Sequence, residues 1–249
     1  GTNNTAVGYQ AAYYQSGSNN DAYGYRALYG STTVANNTGS SNAAFGYASL
    51  VSNTSGNNNV AFGLGSLGQN TSGSNNTGLG VNSLYSNTTG TQNTAIGYQA
   101  GYSNTTGVNN TAVGYQAAYS NSIGTNNTAI GYTALYANTT GGNNTAVGRQ
   151  ALNANTIGVS NVAVGNDALL SNTTGNYNVA VGQQALNSNT IGISNTAVGY
   201  QAGQSNTTGS VTAIGSGALT SNTTGAENTA VGQSALAANT TGVRNTAVG

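Results

Sequence analysis

The side chains able to do chemistry in this chain are few and widely separated. Its 249 residues include three arginines and three acidic residues, and no histidine, cysteine or lysine. Most general bases, thiol nucleophiles and metal sites require one of the absent types. The acids Asp21, Asp167 and Glu227 do not pair at a spacing that would bring two carboxylates together for acid–base hydrolysis. We therefore expect no enzymatic activity, no bound metal and no cofactor.

One pair of opposite charges has a spacing with structural meaning. Glu227 and Arg244 are separated by a 17-residue interval, and each lies shortly after a glycine, Gly225 or Gly242. If a 17-residue segment makes one structural repeat, the two side chains lie one above the other in successive repeats. An exposed pair stabilises a fold by only about 0–1 kcal/mol. We predict a structural ion pair that marks the register of the repeats.

Tyrosine is the remaining residue type with functional potential. Fourteen of the sixteen tyrosines lie at or before Tyr136. Two sets recur at the 17-residue spacing, and the candidate interaction surface consists of Tyr98, Tyr102, Tyr115, Tyr119, Tyr132 and Tyr136. One interpretation is a platform for sugar rings. Packing between repeats or between protomers is the simpler one, because a tyrosine buries a large ring behind a polar tip.

The spacing of these residues comes from an internal repeat. The phrase Thr-Ala-Val-Gly, or a close variant, returns with a 17-residue spacing through nine consecutive steps from Gly46 to Gly199. Gly, Asn and Thr dominate each unit, and its two glycine-containing turns leave stretches of about four or five residues, which suit strands. We predict an all-β parallel β-solenoid, a β-roll of about 15 coils, as a single array over residues 1–249.

The phrase also predicts which residues fill the coil. Alternate residues of a strand point to opposite faces, so its Ala and its bulky apolar residue face different ways. We assign the bulky column, which includes Phe62, Ile96 and Val147, to the interior, with a Leu column four residues after the glycine. The Ala column then faces outward, where it lets another backbone approach closely.

Two columns of asparagine accompany the apolar ones. One precedes the strand, as at Asn93, and the other opens the second turn, as at Asn87 and Asn104. Stacked amides bond to one another and to turn backbone, so we predict an Asn ladder. Asn87 and Asn104 also match the Asn-x-Ser/Thr acceptor for glycosylation. Because this match recurs at the structural period, we favour the ladder.

Composition excludes several classes of partner. Charged residues are 2% of the chain and the net charge is zero, so nucleic acid and anionic membrane surfaces are poor partners. No apolar run approaches the roughly 18–20 residues of a transmembrane helix, so we expect no membrane insertion within this segment. The chain contains no methionine and begins and ends inside a repeat. We expect a segment of a longer fibre protein.

The repeat phrase resembles that of a known family. Asn-Thr-Ala-Val-Gly, with variants over Asn93 to Gly97 and Asn161 to Gly165, resembles the repeat of YadA-type trimeric autotransporter adhesin heads. The full unit is similar to repeat arrays of phage tail-fibre proteins, and the resemblance covers the whole chain. It implies a left-handed β-roll, three chains side by side, a location on a cell or virion surface, and a role in attachment.

These observations predict a non-catalytic structural or adhesive segment of an extracellular surface fibre. The core of such a small coil is thin, so association adds valuable burial, and we expect a parallel homotrimer with a cell-surface glycan as the candidate target. A first alternative is a filament joined head to tail through open strand edges. A second is an ice-binding β-solenoid that uses a regular threonine column. That column contains Thr88, Thr105, Thr139, Thr156, Thr173 and Thr190.

Overall fold

A computed structural model describes residues 1–249, except for the side chain of Val34. It confirms an all-β parallel β-solenoid with one short strand in each repeat. The chain forms two compact units, residues 1–126 and residues 127–249, which are described separately.

The first unit contains seven strands and a 3-10 turn at Val34–Asn36. Its strands are β1 (Thr5–Val7), β2 (Asp21–Tyr23), β3 (Ala43–Phe45), β4 (Val60–Phe62), β5 (Thr77–Leu79), β6 (Thr94–Ile96) and β7 (Thr111–Val113). They pair in parallel in sequence order. Each residue pairs with its equivalent in the next repeat, as Ala95 does with Ala112.

The second unit contains eight strands with the same parallel order. They are β8 (Thr128–Ile130), β9 (Thr145–Val147), β10 (Val162–Val164), β11 (Val179–Val181), β12 (Thr196–Val198), β13 (Val211–Ile214), β14 (Asn228–Val231) and β15 (Thr246–Val248). Because every strand pairs with its own copy one repeat away, the 17-residue period of the sequence becomes the coil of the solenoid.

The structure reverses the predicted direction of the two apolar columns. Ala95 and Ala163 are fully buried, whereas Ile96 is 39% exposed and Phe62 is 58% exposed. The assignment of the Val/Ile/Phe column to the interior was therefore wrong, and the Ala column cannot provide close approach for another chain. The predicted Leu column is correct, since residues such as Leu152 are fully buried.

The width of the coil explains this reversal. The strand Ala column faces a second column of small buried residues, such as Ala100, inside the coil. The coil with Gly78 shows how little room remains. A Cβ added to Gly78 would lie 2.5 Å from Oγ of Ser66 and 2.9 Å from Oγ of Ser83, which replace Ala in the opposite wall. A strand Val or Ile has no space inside, so it faces outward.

The turns need unusual backbone conformations. The repeated glycine Gly165 has a φ of 137°, and a Cβ there would lie 2.6 Å from the carbonyl group of Gly182 in the next coil. Glycine is thus required by both conformation and space. The fully buried Leu169 also has a positive φ, 49°, although it carries a branched side chain. Packing of the side chain in the core compensates for this backbone strain.

Substitution of the inner column tests this account of the coil width. Ala163→Val adds two methyl groups between the walls and should destabilise the fold by about 1–3 kcal/mol, because an overpacked core cannot relax. Val162→Thr, a change at an outward position where threonine occurs in other repeats, should have little effect. Chemical denaturation followed by circular dichroism measures both. Equal stability of the two variants would show that the interior has spare room.

Candidate functional surfaces

The two asparagine columns form buried ladders, as predicted. Nδ2 of Asn87 donates to Oδ1 of Asn70 at 2.8 Å and to the carbonyl of Gly90 at 3.0 Å. Oδ1 of Asn87 in turn accepts from Asn104. In the other column, the backbone N–H of Asn93 donates to Oδ1 of Asn76 at 3.0 Å. The amides thus link successive coils and also close their own turns.

Burial of these ladders bears on the glycosylation motif. Asn87 and Asn104, which match the acceptor sequence, are 0% and 1% exposed. Both hydrogens of each Nδ2 group are donated within the protein. A glycan on either amide is incompatible with this packing, so the recurring motif has a structural role at these positions.

Removal of one rung tests the contribution of the ladder. Asn87→Ala leaves a carbonyl of Gly90 and an amide hydrogen of Asn104 without their partners inside the protein, and should cost roughly 2–4 kcal/mol. Thr89, in the same turn, is exposed and its side chain takes no part in the ladder, so Thr89→Ala is a control with a small expected effect. Urea unfolding of both variants measures the difference. A small loss in Asn87→Ala would mean that the ladder contributes little.

The threonine column considered for ice binding forms a third ladder. Oγ1 of Thr88 donates to the carbonyl of Thr105 at 3.0 Å, and Oγ1 of Thr156 donates to that of Thr173 at 3.0 Å. These threonines are half-buried. Since their hydroxyl hydrogens are already donated to the next coil, they serve coil stacking and are poorly suited to ordering water outside.

The outward face of the strands carries a regular row of apolar side chains in each unit. Its first position is mostly Thr or Val, and its third is the Val/Ile/Phe column. Exposed members of that third column are Val7, Tyr23, Phe62, Ile96, Ile130, Val181, Val198, Ile214 and Val248. We call the third position of the strands, over β1–β7 in one unit and β8–β15 in the other, the outer apolar column. Sequence reasoning placed this surface inside the coil.

The predicted tyrosine surface divides into two kinds of environment. Tyr98 and Tyr115 are exposed and stack with ring centroids 5.4 Å apart and an interplanar angle of 12°. Tyr102 and Tyr119 are half-buried and stack at 5.2 Å. In the second unit, Tyr132 is exposed and Tyr136 is half-buried. Because each stacked ring covers a face of its neighbour, the exposed rows present mainly ring edges and phenol hydroxyls to solvent.

The charged residues form two ion pairs between coils. Nε of Arg244 lies 3.0 Å from Oε2 of Glu227, which confirms the predicted stacking of these residues. Both side chains are exposed, so the pair marks register more than it stabilises. Nη1 of Arg149 lies 3.9 Å from Oδ1 of Asp167. Because their separation in the sequence exceeds the repeat period by one position, spacing provides no signal for this second pair.

A third arginine belongs to an aromatic cluster that the sequence analysis did not find. The guanidinium of Arg26 lies 4.1 Å from the ring centroid of Tyr29. Tyr14 meets Tyr29 edge to face at 5.0 Å, and Tyr13 stacks on Tyr29 at 6.0 Å. We call these four residues the Arg26 cluster. One signal was available, since Arg26 and Tyr29 lie close together just before residues 30–37, where this repeat is longer than the others.

Hydrogen bonding in the Arg26 cluster shifts the pKa values of Tyr14, Arg26 and Tyr29. A hydrogen bond from Arg26 is the main cause that lowers the pKa of Tyr29, and a second hydrogen bond from Tyr14 acts in the same direction. As the donor to Tyr29, Tyr14 loses this bond on ionisation, so its pKa is raised. The pKa of Arg26 is raised, chiefly by its bond to Tyr29. Tyr29 is therefore the phenol that ionises more readily.

This assignment predicts the effect of removing the cation. Arg26→Gln should raise the pKa of Tyr29 towards its ordinary value, because the tyrosinate loses its charged donor. Alkaline titration of tyrosinate absorbance isolates this residue when each background is compared with its Tyr29→Phe form. Arg244→Gln changes the net charge by the same amount at a residue outside the cluster, and it should leave the pKa of Tyr29 unchanged. A lower pKa of Tyr29 in Arg26→Gln would contradict the assigned geometry.

Several kinds of site are absent from the part of the chain that the structure describes. No group of three or more His, Cys, Asp or Glu residues lies close enough to hold a metal ion there. That part also shows no pocket. None of its helical segments is long and apolar enough to cross a membrane. The candidate functional features are consequently open surfaces.

Comparisons of the chain with protein-family models, with curated proteins and with solved structures found no match.

Proposed function

We propose that this chain is a non-catalytic structural segment of an extracellular or virion surface fibre, assembled from parallel copies of itself. The observation that supports this most directly is the outer apolar column. It repeats the same kind of exposed residue in successive coils, as Val181 and Val198 do in the second unit. Such an array of apolar side chains facing water is typical of a protein interaction surface.

The period of the column favours a second copy of this chain as its partner. A partner can contact every coil in the same way only if its own residues recur at the same rise, about 4.8 Å for paired strands. A parallel copy meets that condition without any further adaptation. The lack of charge also removes electrostatic repulsion between like chains, since Val147 and its equivalents are neutral.

Three copies are favoured by the resemblance of the repeat phrase to trimeric adhesin heads. In a trimer the outer apolar columns of three chains meet along a common axis, which adds the core that one narrow coil lacks. The Thr or Val at the first strand position, such as Thr145 or Val162, then lies beside this axis. Both residue types can be buried in such an apolar interface.

Attachment is the second part of the proposal. The exposed row of Tyr98 and Tyr115 offers ring edges and hydroxyl groups at regular intervals, and Tyr132 carries the same type of side chain in the second unit. Phenol hydroxyls donate and accept hydrogen bonds, as sugar hydroxyls do. A cell-surface glycan is therefore the target that we favour for this fibre.

Light scattering on the intact chain tests the assembly. We expect three times the chain mass of 24.5 kDa. Val147→Glu combined with Val181→Glu places two charges in the outer apolar column, two coils apart, and should reduce the mass to that of a monomer. Burial of an unpaired carboxylate at an interface is costly.

The matched control is Thr140→Glu combined with Thr174→Glu, which has the same charge and spacing at exposed turn positions. It should remain a trimer. A parent chain that is monomeric at all concentrations would refute the proposal. A mass that grows without limit would indicate the head-to-tail filament.

A further inference from the structure

The Arg26 cluster is the place where departures from the repeat accumulate. Arg26 and Tyr29 lie within the only 22-residue spacing between successive repeat glycines, Gly24 to Gly46, and Tyr13 and Tyr14 lie in the repeat before it. Its turn also anchors the inserted residues, since Nδ2 of Asn37 donates to the carbonyl of Tyr14 at 3.1 Å. Elsewhere the position of Arg26 holds residues such as Ala48 and Gln99, and its one other charged residue is Asp167.

The charge of Arg26 has no carboxylate partner among the described side chains. Arg149 and Arg244 each pair with an acid one coil away, whereas Arg26 contacts tyrosines. Its Nε atom is buried and makes no hydrogen bond. The side chain as a whole is half-exposed, so an anion from solution can reach it.

The surroundings hold this cation in a fixed position. The ring of Tyr29 lies under the guanidinium, and Tyr14 braces Tyr29 from its edge. Arginine keeps its charge at all ordinary pH values, and its planar group presents donors matched to a carboxylate or sulfate. A held arginine loses less conformational freedom on binding than a mobile one.

A row of exposed aromatic rings lies beside the cation. Tyr9, Tyr25 and Tyr47 stack in successive coils with centroids 5.3 and 5.0 Å apart. Tyr25 and Tyr47 are 41% and 56% exposed. Tyr25 directly precedes Arg26 in the chain, and Tyr47 stacks on Tyr25 from the next coil. Their edges and hydroxyls suit an extended ligand rich in hydroxyl groups.

We propose that Arg26 and the row of Tyr9, Tyr25 and Tyr47 bind an anionic saccharide. Arg26 binds the carboxylate or sulfate group, and the tyrosine hydroxyls bond to neighbouring sugar hydroxyls along the coils. The site is separate from the Tyr98 and Tyr115 row. It goes beyond the proposed fibre assembly, which the light-scattering experiment tests without any ligand.

Binding of defined polysaccharides tests this site. The intact chain is titrated with polygalacturonate, with dextran sulfate and with uncharged dextran, and affinity is measured by calorimetry at low and physiological salt. We expect binding to at least one anionic polymer and none to dextran. Comparison of the titrations with polygalacturonate and with dextran sulfate shows whether the recognised group is a carboxylate or a sulfate. Absence of binding to both anionic polymers, or equal binding to dextran, would overturn the proposal.

Variants separate this site from a general effect of charge. Arg26→Gln should weaken binding by about ten- to a hundredfold, the range expected for loss of a charge-assisted hydrogen bond. Arg244→Gln removes the same charge from an exposed ion pair and should bind like the parent. An equal loss in both variants, or no loss in Arg26→Gln, would overturn the proposal.

A second variant leaves the cation and its contacts in place. Tyr47→Phe keeps the stacked ring but removes one hydroxyl, and it should weaken saccharide binding by several-fold. Circular dichroism confirms that each variant retains the β-solenoid. Unchanged affinity in Tyr47→Phe together with Tyr25→Phe would show that the row does not contribute to the site.

Discussion

Direct stacking of each side chain on its equivalent in the next coil is the constraint on which this structure depends. Parallel pairing places Ala163 opposite Ala180 and Val162 opposite Val179. At about 4.8 Å between strands, a residue type is acceptable only if it can lie next to a copy of itself. Alanine, leucine, asparagine and threonine satisfy this by packing or by bonding in rows. Charged residues do not, since two like charges about 4 Å apart repel by about 1 kcal/mol even in water.

This constraint explains the scarcity of charge in the sequence. Where Glu227 occurs, the next coil presents Arg244 instead of another acid. The same rule gives the asparagine ladders their value. An amide has both a donor and an acceptor, so a column of amides satisfies itself indefinitely, as Asn70, Asn87 and Asn104 show. A narrow coil with little apolar volume thus gains order from buried polar rows as well as from its Ala and Leu columns.

The repeat period, the solenoid, the ladders and the Glu227–Arg244 pair were predictable because each follows from spacing alone. The direction of the strand residues was not, since both Ala95 and Ile96 are apolar and a three-residue strand fits either orientation. Only the separation of the coil walls decides it, and that distance depends on turns in which residues such as Leu169 adopt a positive φ. The Arg26 cluster escaped prediction for a different reason. Two of its contacts join different positions of the repeat, Arg26 to Tyr29 within one coil and Tyr14 to Tyr29 between two coils, whereas the repeat spacing relates only equal positions.

The same reasoning locates function on the surface. A column that must repeat in every coil is governed by stacking, so its residues provide a uniform surface that suits copies of the same chain. Recognition of a different molecule needs a feature that does not repeat. Arg26 is such a feature, because its cation is balanced by no stacked acid and is held by Tyr29. The regular columns and the irregular cluster are therefore suited to different partners: the first to parallel copies of the chain, and the second to an anionic ligand.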